Sequence, residues 1–150
     1  MALSEIIDSS LYNEVLVRPF KEGRASELSI ISGYGSSAMA FHHLQNLSEI
    51  DTKVRINLIL GMAMLDGISL NDHTAFINLK QKEYYNQFEC SYVCSGPAVH
   101  SKVYIWSKND QPIQAFIGSA NYSQRAFLGS GREAMSECSA LSAMDYFEVI

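Results

Sequence analysis

Val99-His100-Ser101-Lys102-Val103-Tyr104-Ile105-Trp106, followed by Ala115-Phe116-Ile117-Gly118-Ser119-Ala120-Asn121, is the stretch on which the fold turns. Both segments are apolar and β-branched or aromatic, and Asn109-Asp110-Gln111-Pro112 lies between them. This pattern predicts strands over Val99 to Ser107 and Ile113 to Ser119, joined as a hairpin. Side chains alternate along a strand, so His100 and Lys102 share one face. Ser119 and Asn121 share a side by the same rule. Gly118 allows a close backbone approach there. Closing the hairpin brings an imidazole, an ammonium, a hydroxyl and an amide together.

Upstream, Glu27 to Gly33 and Lys53 to Met62 read as strands, the second becoming wholly apolar as in a sheet covered on both faces. Ser36 to Leu47 reads as a helix on the spacing of Met39, His43 and Leu47. Another helix runs from about Leu70 to about Glu83, with Asn71 or Asp72 as its cap. Phe88 to Cys94 is a further strand. Downstream, Tyr122 to Leu128 is a short helix, Ala134 to Ser139 a strand, and Ala140 to Ile150 a helix through Leu141, Met144, Phe147 and Ile150. The resulting order, β-α-β-α-β-β-β-α-β-α, predicts an α/β domain: a mixed β-sheet sandwiched by helices, filling residues 1–150.

The composition, 47% hydrophobic and 18% charged, is that of a globular chain and excludes a disordered one. A net charge of -5 and a pI of about 5.3 argue against a domain that holds nucleic acid by its own long-range field. The longest apolar run, Leu58 to Leu65, is too short to span a bilayer. Met1 to Asp8 carries acids early and no basic region, so no secretory signal is expected. Cys90, Cys94 and Cys138 are an odd number without framework spacing, which points to reduced thiols and a cytoplasmic protein.

The polar group on the hairpin suits phosphoryl transfer. An imidazole can attack phosphorus or protonate a leaving oxygen. Lys102 and Asn121 can donate to the non-bridging oxygens, where charge gathers in the transition state. His100-Ser101-Lys102 with Gly118-Ser119-Ala120-Asn121 resembles the paired motifs of the phospholipase D superfamily. Gly118 to Phe127, Ser32 to Met39 and Arg132-Glu133-Ala134-Met135 resemble its nuclease branch, the type II restriction endonucleases of the NgoFVII kind.

The resemblance implies a phospholipase D-like fold and a role for each matching residue. His100 matches the histidine that forms a phosphohistidine or acts as acid. Lys102 and Asn121 match the phosphate-binding pair, and Ser119 the supporting serine. Glu133 matches a glutamate that orients the histidine, with Glu137 as its competitor. The chain departs from the fuller motif at Ser107, where the family carries an aspartate; this weakens the lipase reading more than the nuclease one. The implied reaction is metal-independent cleavage of DNA phosphodiesters, with no cofactor. One motif where the chemistry needs two histidines implies a homodimer.

No helix-turn-helix, zinc module or basic arm is recognisable. The last helix keeps apolar residues to Ile150. Sequence recognition is therefore expected in a further domain or subunit, this chain being the catalytic part of a longer protein. The rivals are a phospholipid-hydrolysing relative and a non-catalytic scaffold domain of a DNA-processing assembly.

Other patterns have plainer readings. Gly33-Tyr34-Gly35-Ser36-Ser37-Ala38 fits a dinucleotide fingerprint, but the acid should follow the second strand and Asp51 precedes it, so a strand-to-helix turn is expected. Cys90 and Cys94 lack the partners of a zinc site. At least one of His42 and His43 is expected on a helix surface, and His73 in a structural role. Lys53, Lys80 and Lys82 read as solvated, and Trp106, Tyr84, Tyr85 and Tyr104 as core or interface.

Overall fold

A computed structural model of the chain describes residues 5–150. The expectation about the N-terminal leader falls partly on residues 1–4, outside the described ones. The elements are β1 (Ile6–Ile7), a π-wound turn (Tyr12–Val17) running into α1 (Arg18–Lys21), β2 (Glu27–Ser32), α2 (Ser37–Ile50), β3 (Arg55–Leu60), α3 (Ala63–Asp66), and α4 (Leu70–Asn78), which widens into a π turn (Leu79–Glu83). They continue with β4 (Phe88–Tyr92), β5 (Val103–Lys108), β6 (Gln111–Gly118), α5 (Gln124–Leu128), β7 (Met135–Cys138) and α6 (Ala140–Glu148).

The seven strands form one mixed sheet in the order β1-β7-β6-β5-β2-β3-β4. β2, β3 and β4 run parallel through helical crossovers, while β5 is antiparallel to β2 and begins the hairpin series. The β5–β6 hairpin closes through Asn109 and Asp110 alone, since Lys108 pairs with Gln111. Both turn residues have positive φ, 52° and 64°. That is the backbone two-residue hairpins favour, and Asn and Asp tolerate it.

Each face carries its own core. On one, Leu28, Ile30, Leu58, Tyr104, Trp106 and Phe116 pack against Val15, Leu16, Met39, Leu44, Phe76 and Phe127 from the helical segments. On the other, α6 lays Ala143, Met144 and Phe147 over Ile31, Val103, Ile105 and Ala115. The mixed sheet between helices is therefore as expected.

Several boundaries differ for definite reasons. The strand expected from Val99 starts at Val103, because Val99 donates instead to the Gly61 carbonyl at 3.0 Å, off the end of β3. α4 is capped by Ser69, whose hydroxyl accepts from Asp72 N–H at 3.0 Å, rather than by Asn71 or Asp72. The short helix begins at Gln124, capped by Ser123, and not at Tyr122, which is spent bridging to Gly35. The Tyr12–Val17 turn was not expected at all. Its Val15 carbonyl accepts from Trp106 Nε1 at 2.7 Å, and its Leu16 carbonyl lies 2.6 Å from His43 Nε2.

His43 is fully buried on α2, while His42 is half-buried beside Asn46. Only a donor can face the Leu16 carbonyl, so Nε2 of His43 carries the proton and Nδ1 accepts from the Tyr122 hydroxyl at 2.7 Å. Burial pushes its pKa down to about 4. His73 is structural, bonded to the Tyr92 hydroxyl at 2.8 Å. Cys90, Cys94 and Cys138 are free, and burial pushes Cys90 up to about 12. No described helix is long and apolar enough to cross a membrane.

Candidate active site

The carboxyl ends of β2 and β3 meet the start of β5 and the end of β6 around Gly33. A Cβ placed on Gly33 would lie 3.3 Å from His100 Cδ2, 3.3 Å from Met62 Cγ and 3.5 Å from Asn121 Oδ1. One backbone position therefore touches two of the expected site residues. A third, Lys102, brings its Nζ to 3.3 Å from His100 Nδ1 and 3.4 Å from Nε2. Although Val99 to Lys102 stand outside the strand ladder, His100 and Lys102 still lie together. Ser101 between them turns away to the Tyr146 hydroxyl of α6 at 2.5 Å.

Lys102 is 9% exposed, and among the described residues no carboxylate lies in ion-pair range of it. A buried ammonium without a counter-charge is costly in free energy, and an incoming anion relieves that cost. His100 is exposed at the mouth, so the anion and its leaving group can reach it.

The segment around Asn121 is held from every side. Gly118 lets β6 approach β7 closely: a Cβ there would sit 2.2 Å from the Ala134 carbonyl oxygen. Buried Tyr104 donates to the Ala120 carbonyl at 2.7 Å. The buried Ser32 hydroxyl accepts from Tyr122 N–H at 3.0 Å and shares its proton between the Tyr34 carbonyl and Asn121 Oδ1, the latter at 3.1 Å. Tyr34 N–H also donates to Asn121 Oδ1, at 3.2 Å. With donors on Oδ1 the amide cannot flip, and its Nδ2 is left to donate to a ligand.

Ser119 donates to the Glu133 carboxylate and accepts from Ala134 N–H at 3.0 Å. Glu133 thus joins Ser119 and is not bonded to His100. Glu137, the competitor, sits on β7 and accepts from Gln114 Nε2 at 3.0 Å, beside Arg24, which donates to Gln114 Oε1 at 2.8 Å. Its position opposite Phe116 puts it among the charges of the N-terminal helix, away from the motif. Ser107, at the motif's aspartate position, is buried near the far end of β5.

Sequence reasoning did not assign roles to Ser32, Tyr34 and Gly61. Tyr34 packs edge-on against His100, ring centroids 6.3 Å apart, and its hydroxyl donates to Asp66 at 2.5 Å, which raises its pKa. A Cβ on Gly61 would lie 2.0 Å from the Val99 carbonyl oxygen, so the segment carrying His100 is seated directly on β3's end. The Ser32-to-Met39 likeness was the available signal for the first two. Among the described residues no group of three or more His, Cys, Asp or Glu could hold a metal. What converges on His100 is an ammonium and an amide.

The model of the NgoFVII restriction endonuclease N-terminal PLD domain matches residues 9–150. No curated protein sequence matches the chain significantly. Among solved structures, NucT from Helicobacter pylori superposes with a TM-score of 0.62 at 13% identity, over 97% of this chain and 93% of that one. The phospholipase D family member Nuc from Salmonella typhimurium gives 0.60 at 13% identity, over 97% and 91%. Yeast tyrosyl-DNA phosphodiesterase gives 0.52 at 12% identity, over 91% of this chain and 32% of that one. At such identities these structures speak for the fold.

Proposed function

Because this chain belongs to the NgoFVII restriction endonuclease N-terminal PLD domain family of phospholipase D-like phosphodiester hydrolases, we propose that it cleaves DNA through His100. The observation that carries this reading is the buried ammonium of Lys102, with no carboxylate among the described residues in ion-pair range, beside the exposed imidazole of His100. In the proposed reaction a phosphate oxygen settles between Lys102 Nζ and Asn121 Nδ2. An imidazole nitrogen of His100 bonds to phosphorus as the bond to the leaving oxygen breaks. Water then attacks the phosphohistidine and frees His100. Ser119 and Glu133 brace the Asn121 segment through Ala134; this role differs from orienting His100 directly.

The leaving oxygen needs a proton, and one motif supplies one histidine. We propose that a second copy provides the other across a two-fold axis. A groove of about 570 Å³ beside His100, rimmed by Pro97, Val99, Tyr146, Val149 and Ile150, supports this arrangement. Among the described residues, the groups facing His100 supply positive charge and hydrogen bonds without converging carboxylates, which supports a metal-independent step. Sequence recognition is proposed to lie in another domain or subunit, consistent with the net charge of -5.

The test is hydrolysis of duplex DNA, single-stranded DNA and phospholipid vesicles in EDTA, with His100→Ala as control. DNA cleavage by the parent protein and none by a folded His100→Ala supports the reading. Undiminished turnover by His100→Ala removes the nucleophile, and activity restored only by Mg²⁺ removes the metal-independent mechanism. Preference for phospholipid favours the lipase rival. Sedimentation showing only monomers during turnover contradicts the shared site.

A further inference from the structure

Tyr34 borders both His100 and a cavity. One side meets His100, at 6.3 Å between ring centroids, while the residue remains 42% exposed. Tyr34 also walls a cavity of about 180 Å³ at the carboxyl ends of β2 and β3, completed by Leu60, Ala63, Ile68, Ser69 and Asp72. The ring is fixed from both ends: its hydroxyl by Asp66 on α3 at 2.5 Å, and its backbone N–H by Asn121 Oδ1 at 3.2 Å. An aromatic ring pinned this way offers a stacking surface with little conformational entropy left to lose.

The walls state what the cavity takes. Leu60, Ala63 and Ile68 are apolar, while Ser69 and Asp72 add oxygens at the rim. Asp72 Oδ1 is engaged by Ser37 N–H at 3.0 Å and Ser37 Oγ at 2.6 Å, and Oδ2 only by Ser69 Oγ at 3.2 Å. Burial opposes the charged form, but the bonds from Ser37 and Ser69 outweigh it and hold the carboxyl below the usual range, so an acceptor faces the rim. The volume is below the ~300–1,000 Å³ typical of pockets for whole drug-sized ligands. It suits one planar ring system and not a dinucleotide.

We propose that the cavity behind Tyr34 is a subsite for the base of the nucleotide next to the scissile phosphate, the base stacking on Tyr34. This rests on the reading that His100 acts on a DNA phosphodiester. Tyr34 lines the cavity and its ring centroid is 6.3 Å from that of His100, so a base stacked on Tyr34 belongs to the nucleotide whose phosphate meets His100, and stacking selects nucleotides over other diesters. The apolar walls and the ring are indifferent to which base enters; Asp72 favours those presenting N–H groups.

The experiment compares a short single strand with the same strand carrying a tetrahydrofuran abasic residue beside the cleaved linkage, on either side in turn. Duplex DNA serves as the activity control. Base–aromatic stacking predicts that the parent protein cleaves one abasic strand about 5- to 100-fold more slowly in kcat/KM. Tyr34→Ala, which keeps the backbone bond to Asn121, loses this discrimination, and Tyr34→Phe restores it. Ala63→Leu, which fills the cavity away from His100, slows the intact strand to the abasic level and leaves the abasic rate unchanged. Equal cleavage of all strands by the parent protein overturns the subsite. So does a Tyr34→Ala protein that slows intact and abasic strands alike, since the ring then serves His100 only. If duplex is cut and neither strand is, the subsite falls and the phosphodiesterase reading stands. If duplex is uncut too, both fall.

Discussion

Gly61→Ala tests whether the seat of the His100 segment on β3 controls the chemistry. The new methyl would lie 2.0 Å from the Val99 carbonyl oxygen and 2.7 Å from Val99 Cβ, where ordinary contact begins at 3.4 Å. Relief therefore requires the Val99 segment to retreat by about 1.4 Å, the difference between 3.4 and 2.0 Å. The neighbour is backbone, so no side-chain rotation can absorb the clash. His100 follows Val99, and misplacing a reacting group by about 1 Å costs on the order of 10²-fold in rate. Overpacking costs ~1–3 kcal/mol of stability, which leaves a typical domain folded. Single-turnover cleavage with saturating protein should thus fall about a hundredfold, while urea denaturation shows a modest loss. Gly33→Ala is the graded comparison. Its closest contacts are 3.3 Å and its φ is not positive, so a displacement of a few tenths of an ångström predicts a loss within about tenfold. A folded Gly61→Ala with parental single-turnover rate would refute the claim that this contact sets the position of His100.

Lys102→Met should abolish turnover by about 10²-fold or more while leaving stability unchanged or raised by about 1 kcal/mol, because a buried charge without a counter-ion is removed; urea denaturation of the pair decides it, and a large destabilisation would mean the ammonium is structural. Ser32→Ala should cost ~1–3 kcal/mol, since the Tyr122 N–H loses its acceptor, and should lower kcat more than it raises KM as the Asn121 amide loosens. His43 makes stability depend on pH. Its folded pKa of about 4 lies below the ordinary 6.5, so the unfolded chain binds the proton more readily. That stability is whole above about pH 6.5 and is lost as the pH falls toward 4, by about 3 kcal/mol in all. Thermal melts of parent and His43→Gln across this window should converge at low pH, and a parallel dependence in the two would disprove it.

What could be read in advance follows the range of the interactions. β2, β3 and the β5–β6 hairpin are local patterns of alternation and turn chemistry, and the motif pairs lie on them. The N-terminal turn was invisible because Val15-Leu16-Val17 carries no helical period, and its winding depends on Trp106 and His43, 91 and 27 positions away. The Ser69 cap was available locally as a Ser followed three residues later by Asp, which reciprocate in the structure, yet Asn71 and Asp72 drew the assignment. Val99 kept its strand-like alternation while pairing with Gly61 instead of the ladder, so periodicity placed the faces correctly and the strand's start wrongly. At the candidate site, the proximity of His100, Lys102 and Asn121 was legible from the motifs, and the structure brings the three together. The fixing of Asn121 by Ser32 and Tyr34 was not, being set by contacts 89 and 87 positions apart. Glu133 was read as the residue that orients His100, whereas its partner in the structure is Ser119.

The two-residue turn at Asn109 and Asp110 gives an experimenter a handle. The hairpin opens toward the candidate catalytic groups and closes at this exposed turn, at the other end of β5 and β6. A fluorophore, an affinity tag or a tether to a glass surface grafted between these two residues would ride on the strands that deliver Lys102 and Gly118, without standing where a substrate arrives. Energy transfer from such a dye to one on an oligonucleotide would time the docking of single molecules and keep the chemistry intact.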